Sequence, residues 1–330
     1  MHAIAVIGAG RIGQIHAANI AAHTGLRLAC VADASDAAAA RLADRHGARA
    51  AEAEAVLADP GIAGVVVASP TDTHVDFTLR AAEAGKAVLC EKPLDLDLAR
   101  ARATAERLDA LEARVLLGFN RRFDPNFAAL RARMQDGAIG PLETLHLISH
   151  DPAPPPASYL ASSGGIFKDM VIHDFDMACW LLGEAPASVF ASAACLIAPD
   201  IAAAGDADTA KTILRTDDGR MCMISSSRRS GYGYDQRIEA FGARGMIRAR
   251  NVHETTLETW GETGKNTDRL QNFFLDRYSE AYVREMAHFA EVLDGAPPAV
   301  DHHDGVAALA LAEAAARSMR SGRMESVTAQ

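Results

Sequence analysis

No run of about 18 apolar residues occurs in the 330-residue chain, so no membrane-crossing helix is expected. The apolar start, residues 3–7, leads directly into a glycine-rich turn and does not follow a basic segment, so no export signal is expected either. No C-x-x-C pair is present. The five cysteines (Cys30, Cys90, Cys179, Cys195, Cys222) are odd in number and widely spaced, which argues against a disulfide framework and a zinc site and fits a reducing cytoplasm. No dense Lys/Arg run appears, and 33 basic against 43 acidic residues give a net charge of −10, so nucleic acid is not an expected partner. No repeat of solenoid length is visible. A composition 49% hydrophobic and 23% charged, with 25 Gly and 13 Pro, excludes collagen-like, coiled-coil and disordered chains. The length suits two domains.

Short apolar runs at 3–7, 26–32, 65–69, 87–90 and 115–118 alternate with helix-length, Ala-rich segments. Wholly apolar runs of this kind are what a parallel sheet covered on both faces requires. Ala37–Ala40 and residues 48–58 read as good helix formers. After Asn120 the pattern becomes alternating, as in residues 143–149 and 212–225. The second of these is broken by Asp217-Asp218-Gly219, a hairpin turn signal, and residues 237–247 turn at Gly242 to Gly245. Two long helical patterns, about 275–293 and 304–319, close the chain, and Pro152-Ala-Pro-Pro-Pro156 reads as a stiff extended loop. The expected organisation is an α/β Rossmann domain with a doubly wound parallel sheet over residues 1–120. An α+β domain with an open, mostly antiparallel sheet follows over 121–330.

Gly8-Ala-Gly10-Arg11-Ile12-Gly13 directly follows the first strand and opens a helix, the context that lifts G-x-G-x-x-G above a chance match. The first glycine permits the tight turn, the second lets backbone approach a pyrophosphate, and the third lets helix and strand pack closely. Asp33 closes the next apolar run and can accept hydrogen bonds from an adenosine ribose. A carboxylate there repels a 2′-phosphate, and Ala34 and Ser35 supply no cation, so NAD is expected over NADP. Arg41, further into the following helix, is a candidate to offset that repulsion.

Glu91-Lys92-Pro93 places a lysine at the C-terminal end of a parallel strand, the edge where open α/β sheets bind ligands. A bare lysine there is more often a solvated charge. The segment from Gly164 to Gly183 is the second concentration of chemistry. At 100° per residue, Asp169, His173, Asp176 and Trp180 form one stripe, with Asp174 off it and Val171, Phe175, Ala178 and Leu182 turned toward a core. A histidine flanked by carboxylates can be oriented and stabilised as a general base, the plainer reading being a solvated helix face. Asp301-His302-His303-Asp304 also offers metal-ligand types. Adjacent histidines are not expected to share a helix face, and Asp304 reads as a helix N-cap, so no metal is expected.

These motifs, in this order, resemble the glucose–fructose oxidoreductase/inositol dehydrogenase superfamily. The resemblance rests on Gly8 to Gly13, Glu91-Lys92-Pro93, Gly118-Phe-Asn-Arg-Arg-Phe-Asp-Pro125, Asp151 to Pro156, Asp169 to Gly183 and Tyr232-Gly-Tyr-Asp-Gln-Arg237. It covers nearly the whole chain, and the proline loop and the Tyr232 segment resemble the inositol branch. It implies Lys92, Asp169 and His173 as the catalytic trio, and Arg121, Asp151, Asp176 and Tyr232, with that trio, as substrate contacts. For the cofactor it implies Gly8, Gly10, Arg11, Ile12, Gly13, Asp33, Ser69, Thr71, His74, Glu91, Lys92 and Asn120. His150 departs from the family pattern, in which an arginine more often precedes the Asp-Pro.

The implied activity is NAD-dependent oxidation of a ring hydroxyl of a cyclic polyol, foremost myo-inositol to 2-keto-inositol. The implied assembly is a homo-oligomer, a tetramer or dimer, through the C-terminal sheet. A dehydrogenase of a related pyranose or cyclitol, an NAD-dependent glycoside hydrolase, and a non-catalytic nucleotide or sugar sensor are the alternatives.

Overall fold

The structure is a computed structural model that describes residues 1–156, 159–160 and 163–327. The chain divides into two compact units, Met1–Phe123 with Ala281–Val306, and Asp124–Glu280 with Ala307–Gln330. The sequence reading had assigned Ala281–Val306 to the second domain. It belongs with the first because its helix, Ser279–Leu293, supplies Phe289 and Leu293 to one side of the N-terminal sheet. A methyl group added at Gly64 would lie 3.0 Å from Leu293, 3.1 Å from Phe289 and 3.2 Å from Ile4. Leu117 N–H also donates to the Val300 carbonyl at 3.1 Å.

Six parallel strands build the first unit: β1 (His2–Ile7), β2 (Leu26–Ala32), β3 (Arg49–Ala50), β4 (Gly64–Val67), β5 (Ala87–Glu91) and β6 (Val115–Gly118). Their order is β3-β2-β1-β4-β5-β6, so the chain reverses direction across the sheet beside β1, where ligands of open α/β sheets bind. The apolar runs are buried almost without exception, as a sheet covered on both faces demands. β3 departs from the expected helix over 48–58. Its two exposed residues pair with Cys30 and Val31, and the helix starts only at Ala53.

The second unit carries β7 (Leu142–His150), β8 (Ser188–Ala194), β9 (Thr209–Arg215), β10 (Met221–Ser227), β11 (Asp235–Gly242) and β12 (Gly245–Ala249). With the short strand Glu325–Ser326 they form one open sheet, antiparallel except for β7 against β10. The β9–β10 hairpin turns at Gly219, with φ of 92°, and β11–β12 turns between Gly242 and Gly245, both where the sequence signals lie. Alternation leaves one sheet face open: Ile213, Met221, Met223, Phe241 and Met246 are each more than a third exposed. Helix Ile172–Leu182 covers the other face, where Ser149 Oγ of β7 lies 2.8 Å from Asp174 Oδ1 and 3.0 Å from Gln236 Oε1. Among the described residues no helix is long and apolar enough to cross a membrane.

The helix expected from 304 begins at His302 and is capped by Asp301, whose Oδ1 accepts from His303 N–H at 2.9 Å; Asp304 instead receives Arg122 at 2.7 Å. The second unit holds a buried ion pair between Arg277 and Asp124, whose side chains are 2% and 1% exposed. Asp124 also caps helix Pro125–Gln135. Removing one member of such a pair strands the other charge. Arg277→Met should therefore cost about 3–5 kcal/mol of unfolding free energy in urea. Asp124→Ser added to it, which keeps a capping oxygen, should recover part of the loss; no recovery would show that packing and not charge dominates.

Candidate active site

The carboxyl ends of five strands gather the residues singled out in the first unit. Gly8 to Gly13 follow β1, Asp33 follows β2, and Ser69, Thr71 and His74 follow β4. Glu91 and Lys92 end β5, and Asn120 and Arg121 follow β6.

The three glycines have three different reasons. Gly8 has φ of 107°, and a side chain there would strike the Ala68 carbonyl at 2.3 Å. At Gly13 a methyl would fall 1.8 Å from the Gly8 carbonyl oxygen, so helix and turn could not meet. Gly10 differs. It has an ordinary φ of −70° and nothing within 4 Å of where a methyl would stand, so the protein itself makes no demand for glycine there. Gly10 is also the N-cap of helix Arg11–Ala22 and offers no side chain to its free N–H groups. Open space over uncapped N–H donors fits a pyrophosphate. Asp33 is held in place by Ala9 N–H at 2.7 Å and Ser35 N–H at 2.8 Å, one on each carboxylate oxygen. The strand end, the acid and the glycine turn are thus one rigid piece, and these residues suit NAD.

Ser69 Oγ lies 2.6 Å from Thr73 Oγ1, which itself donates to the Pro70 carbonyl, so Ser69 is the donor between them. His74 is buried, and both its ring nitrogens face carbonyls, Nδ1 to Pro93 at 2.8 Å and Nε2 to Ser69 at 3.0 Å. Two acceptors require two N–H donors, hence an imidazolium. Burial alone would lower its pKa, but the neighbouring Cys90 and then the two carbonyls outweigh that and lift it to about 9. Both ring nitrogens are thereby taken up. The Glu91 carboxylate is engaged as well, by His16 Nε2 at 2.7 Å, on the helix that follows the glycine turn. Lys92 is half-buried, and Asn120 and Arg121 are buried.

The same unit corrects one expectation. His302 and His303, although adjacent, both bring Nε2 to 2.9 Å from Asp109 Oδ1. They do so from adjacent positions about 100° apart on the helix, because the long side chains converge, their ring centroids lying 4.5 Å apart.

In the second unit, Asp169 ends a short helix, Ile166–Asp169, and helix Ile172–Leu182 starts after a break. The single stripe expected through Asp169, His173, Asp176 and Trp180 is not continuous. Val171 N–H reaches back five residues to the Ile166 carbonyl, a wide turn that abolishes the 100° register. Asp169 is held by Arg228, buried and 59 residues away, at 3.0 Å on Oδ2, and by the Tyr159 hydroxyl at 2.7 Å on Oδ1. Burial, then the Asp169 charge, pushes the Tyr159 pKa above its usual range. Neither partner was found from sequence, because nothing local marks Arg228. Asp174 and Asp176 are both buried, which removes the solvated-face reading. The Arg131 guanidinium covers the Trp180 ring at 4.5 Å.

Asp151 N–H donates to the Ser227 carbonyl, placing it where β7 and β10 end together. Tyr232 donates to Asp235 at 2.6 Å and stands 3.4 Å from His150 Nδ1, on the sheet face opposite Ser149. Burial lowers the His150 pKa, outweighing the nearby Asp235.

Residues 2–119 match the oxidoreductase family with an NAD-binding Rossmann fold, and residues 127–248 match the GFO/IDH/MocA C-terminal domain. The chain is similar to inositol 2-dehydrogenase of Rhizobium meliloti (strain 1021), 46% identical over 98% of each chain. It is also similar to myo-inositol 2-dehydrogenase of Thermotoga maritima, 42% identical over 98% of this chain and 99% of the other. The crystal structure of a myo-inositol dehydrogenase from Corynebacterium glutamicum ATCC 13032 gives a TM-score of 0.96 at 45% identity, covering 100% of both chains. The chain belongs to the GFO/IDH/MocA oxidoreductase family. It is an NAD-dependent oxidoreductase acting on CH–OH groups.

Two measurements probe this site. Gly10→Ala should leave the thermal midpoint almost unchanged and weaken NAD about tenfold or more by calorimetry, whereas Asp33→Ala should narrow the preference for NAD over NADP. Unchanged NAD affinity in Gly10→Ala would remove the pyrophosphate from this turn. The second follows from His74. Its folded pKa of about 9 exceeds the ordinary 6.5, so its stabilisation is complete below 6.5 and is lost as pH rises through 9. Between those values the unfolding free energy should fall by up to about 1.4 kcal/mol per pH unit for this proton. His74→Asn should lack that component.

Proposed function

We propose that this protein is an inositol 2-dehydrogenase that oxidises myo-inositol to 2-keto-inositol with NAD. The observation that carries the reading is the likeness to an inositol 2-dehydrogenase over 98% of the chain, spanning both units and not the nucleotide-binding one alone. When bound, NAD supplies the acceptor for the carbon-bound hydride. His173 takes the hydroxyl proton, for which only its neutral imidazole is competent. Asp169, itself held by Arg228 and Tyr159, orients His173 and stabilises its imidazolium form. Lys92 hydrogen-bonds the reacting oxygen and offsets the negative charge that develops there. Arg121, Asp151 and Asp176 supply polar groups for the remaining hydroxyls, which a polyol site needs in number; Tyr232, across the sheet from Ser149, joins them through the family resemblance alone. His150, beside Tyr232, takes part in that recognition through the tyrosine.

The protein acts as a homo-oligomer in this reading, with a second copy against the open sheet face. An exposed group of Ile213, Met221, Met223, Phe241 and Met246 is the kind of surface that partners cover. It works in the cytoplasm, a compartment that suits five widely spaced cysteines without a C-x-x-C pair.

Myo-inositol with NAD should give one NADH per substrate oxidised, read as absorbance, at a rate that rises with pH as His173 loses its proton. His173→Ala should lose most of the rate and the pH dependence, and Asp169→Asn should fall between. Lys92→Ala should lower kcat on the order of 10²-fold or more with NAD affinity kept. NADH from pyranoses alone would replace the inositol reading, and glycoside cleavage without NADH would replace the dehydrogenase.

A further inference from the structure

Lys92 stands between two residues that are each tied to buried polar groups. On its N-terminal side, the Glu91 carboxylate accepts from His16 Nε2 at 2.7 Å, and both side chains are buried. Gly118 makes the room: a methyl there would stand 3.0 Å from Glu91 Oε2. Glu285, from helix Ser279–Leu293, is wholly buried, and neither of its oxygens has a hydrogen-bond partner among the described residues. His16, Glu91 and Glu285 each bring one polar atom within 4.8 Å of the others. Burial, then the Glu91 charge, raises the Glu285 pKa well above the carboxylate range. Two carboxyl groups sharing a space without solvent disfavour charge on both.

On the C-terminal side, His74 Nδ1 donates to the Pro93 carbonyl, and Nε2 of the same ring donates to the Ser69 carbonyl at the end of β4. The strand end that carries Lys92 is thus fixed before it by a side chain and after it by a carbonyl. Three helices and the loop after β4 take part. A solvated lysine at a strand end needs none of this, and burying two carboxyl groups and an imidazole for mere packing is costly compared with apolar residues.

We propose that His16 and Glu285 on one side and His74 on the other are positioning residues that set the Lys92 ammonium for the reaction. The inference rests on the reading of Lys92 as the group that stabilises charge on the reacting oxygen. A misplacement of about 1 Å at such a group can cost on the order of 10²-fold in rate. The anchors therefore act on kcat through Lys92, since both His74 ring nitrogens and His16 Nε2 are already engaged within the protein.

A double-mutant cycle on the full-length protein tests this, with myo-inositol and NAD as the assay. His74→Leu and His16→Leu should each lower kcat about tenfold to hundredfold, with the NAD dissociation constant within about threefold of wild type. His74→Asn, which returns one donor, should recover part of kcat. In the Lys92→Ala background the same substitutions should lower kcat by less than about twofold, because the group they position is gone. An equal loss in both backgrounds would overturn the inference and leave the anchors as structural residues only. Near-normal kcat in Lys92→Ala alone would instead overturn the reading of Lys92, and the inference with it. If the leucine variants do not fold, His74→Asn and Glu285→Gln carry the same cycle.

Discussion

A parallel sheet has to be covered on both faces, and the six-stranded sheet here obtains part of its cover from a helix that arrives near the end of the chain. Ser279–Leu293 lays Phe289 and Leu293 against Gly64 and Ile4. Most of what is particular to the nucleotide-binding unit depends on that contact. It explains why Gly64, at the start of β4, has no side chain. It also brings Glu285 to His16 and Glu91, and Arg114 to the Val292 and Leu293 carbonyls at the helix end. The buried charge cluster beside Lys92 is a by-product of covering the sheet, put to use at its edge.

The same unit divides its labour by depth. Apolar residues fill the body of the sheet, while polar groups gather where strands end, several of them satisfied by backbone. Asp33 takes two N–H groups, His74 gives two protons to carbonyls, and Lys86 donates to the Asp59 and Ile62 carbonyls. Loops held this way present their remaining groups in fixed directions, which a hydride-transfer enzyme needs because geometry is most of what the protein contributes.

Much of this was legible in the amino-acid order wherever the determinant was local. The Gly8–Gly13 turn, the five apolar strands and the Gly219 hairpin each depend on neighbours a few residues away. What escaped depends on distant ones. β3 consists of two exposed residues inside an Ala-rich stretch, and pairing with β2, not propensity, makes it a strand. The amphipathic pattern of 275–293 announced a buried face without saying which sheet it would meet. Helical spacing puts Asp169 on one stripe with His173, but the wide turn at Val171 breaks that register, and the carboxylate is also held by Arg228, 59 residues away, which no local pattern marks. For His302 and His303 backbone spacing predicts divergence, whereas their side chains converge on one Asp109 oxygen distant in sequence.

The late-arriving helix also matters during biosynthesis. As the chain leaves the ribosome, residues 1–123 can pair their strands at once, but the patch around Ile4 and Gly64 stays bare until the second unit has been made and residues 281–306 follow. At ~5–20 residues per second that interval is on the order of ten seconds. The nascent nucleotide-binding unit is then a half-covered sheet with apolar surface exposed, the kind of species that chaperones hold and that aggregates when they are scarce. Completion of both units is thus postponed to the last stretch of synthesis, and a fragment ending after β6 would carry the whole glycine turn on a sheet that lacks part of its cover.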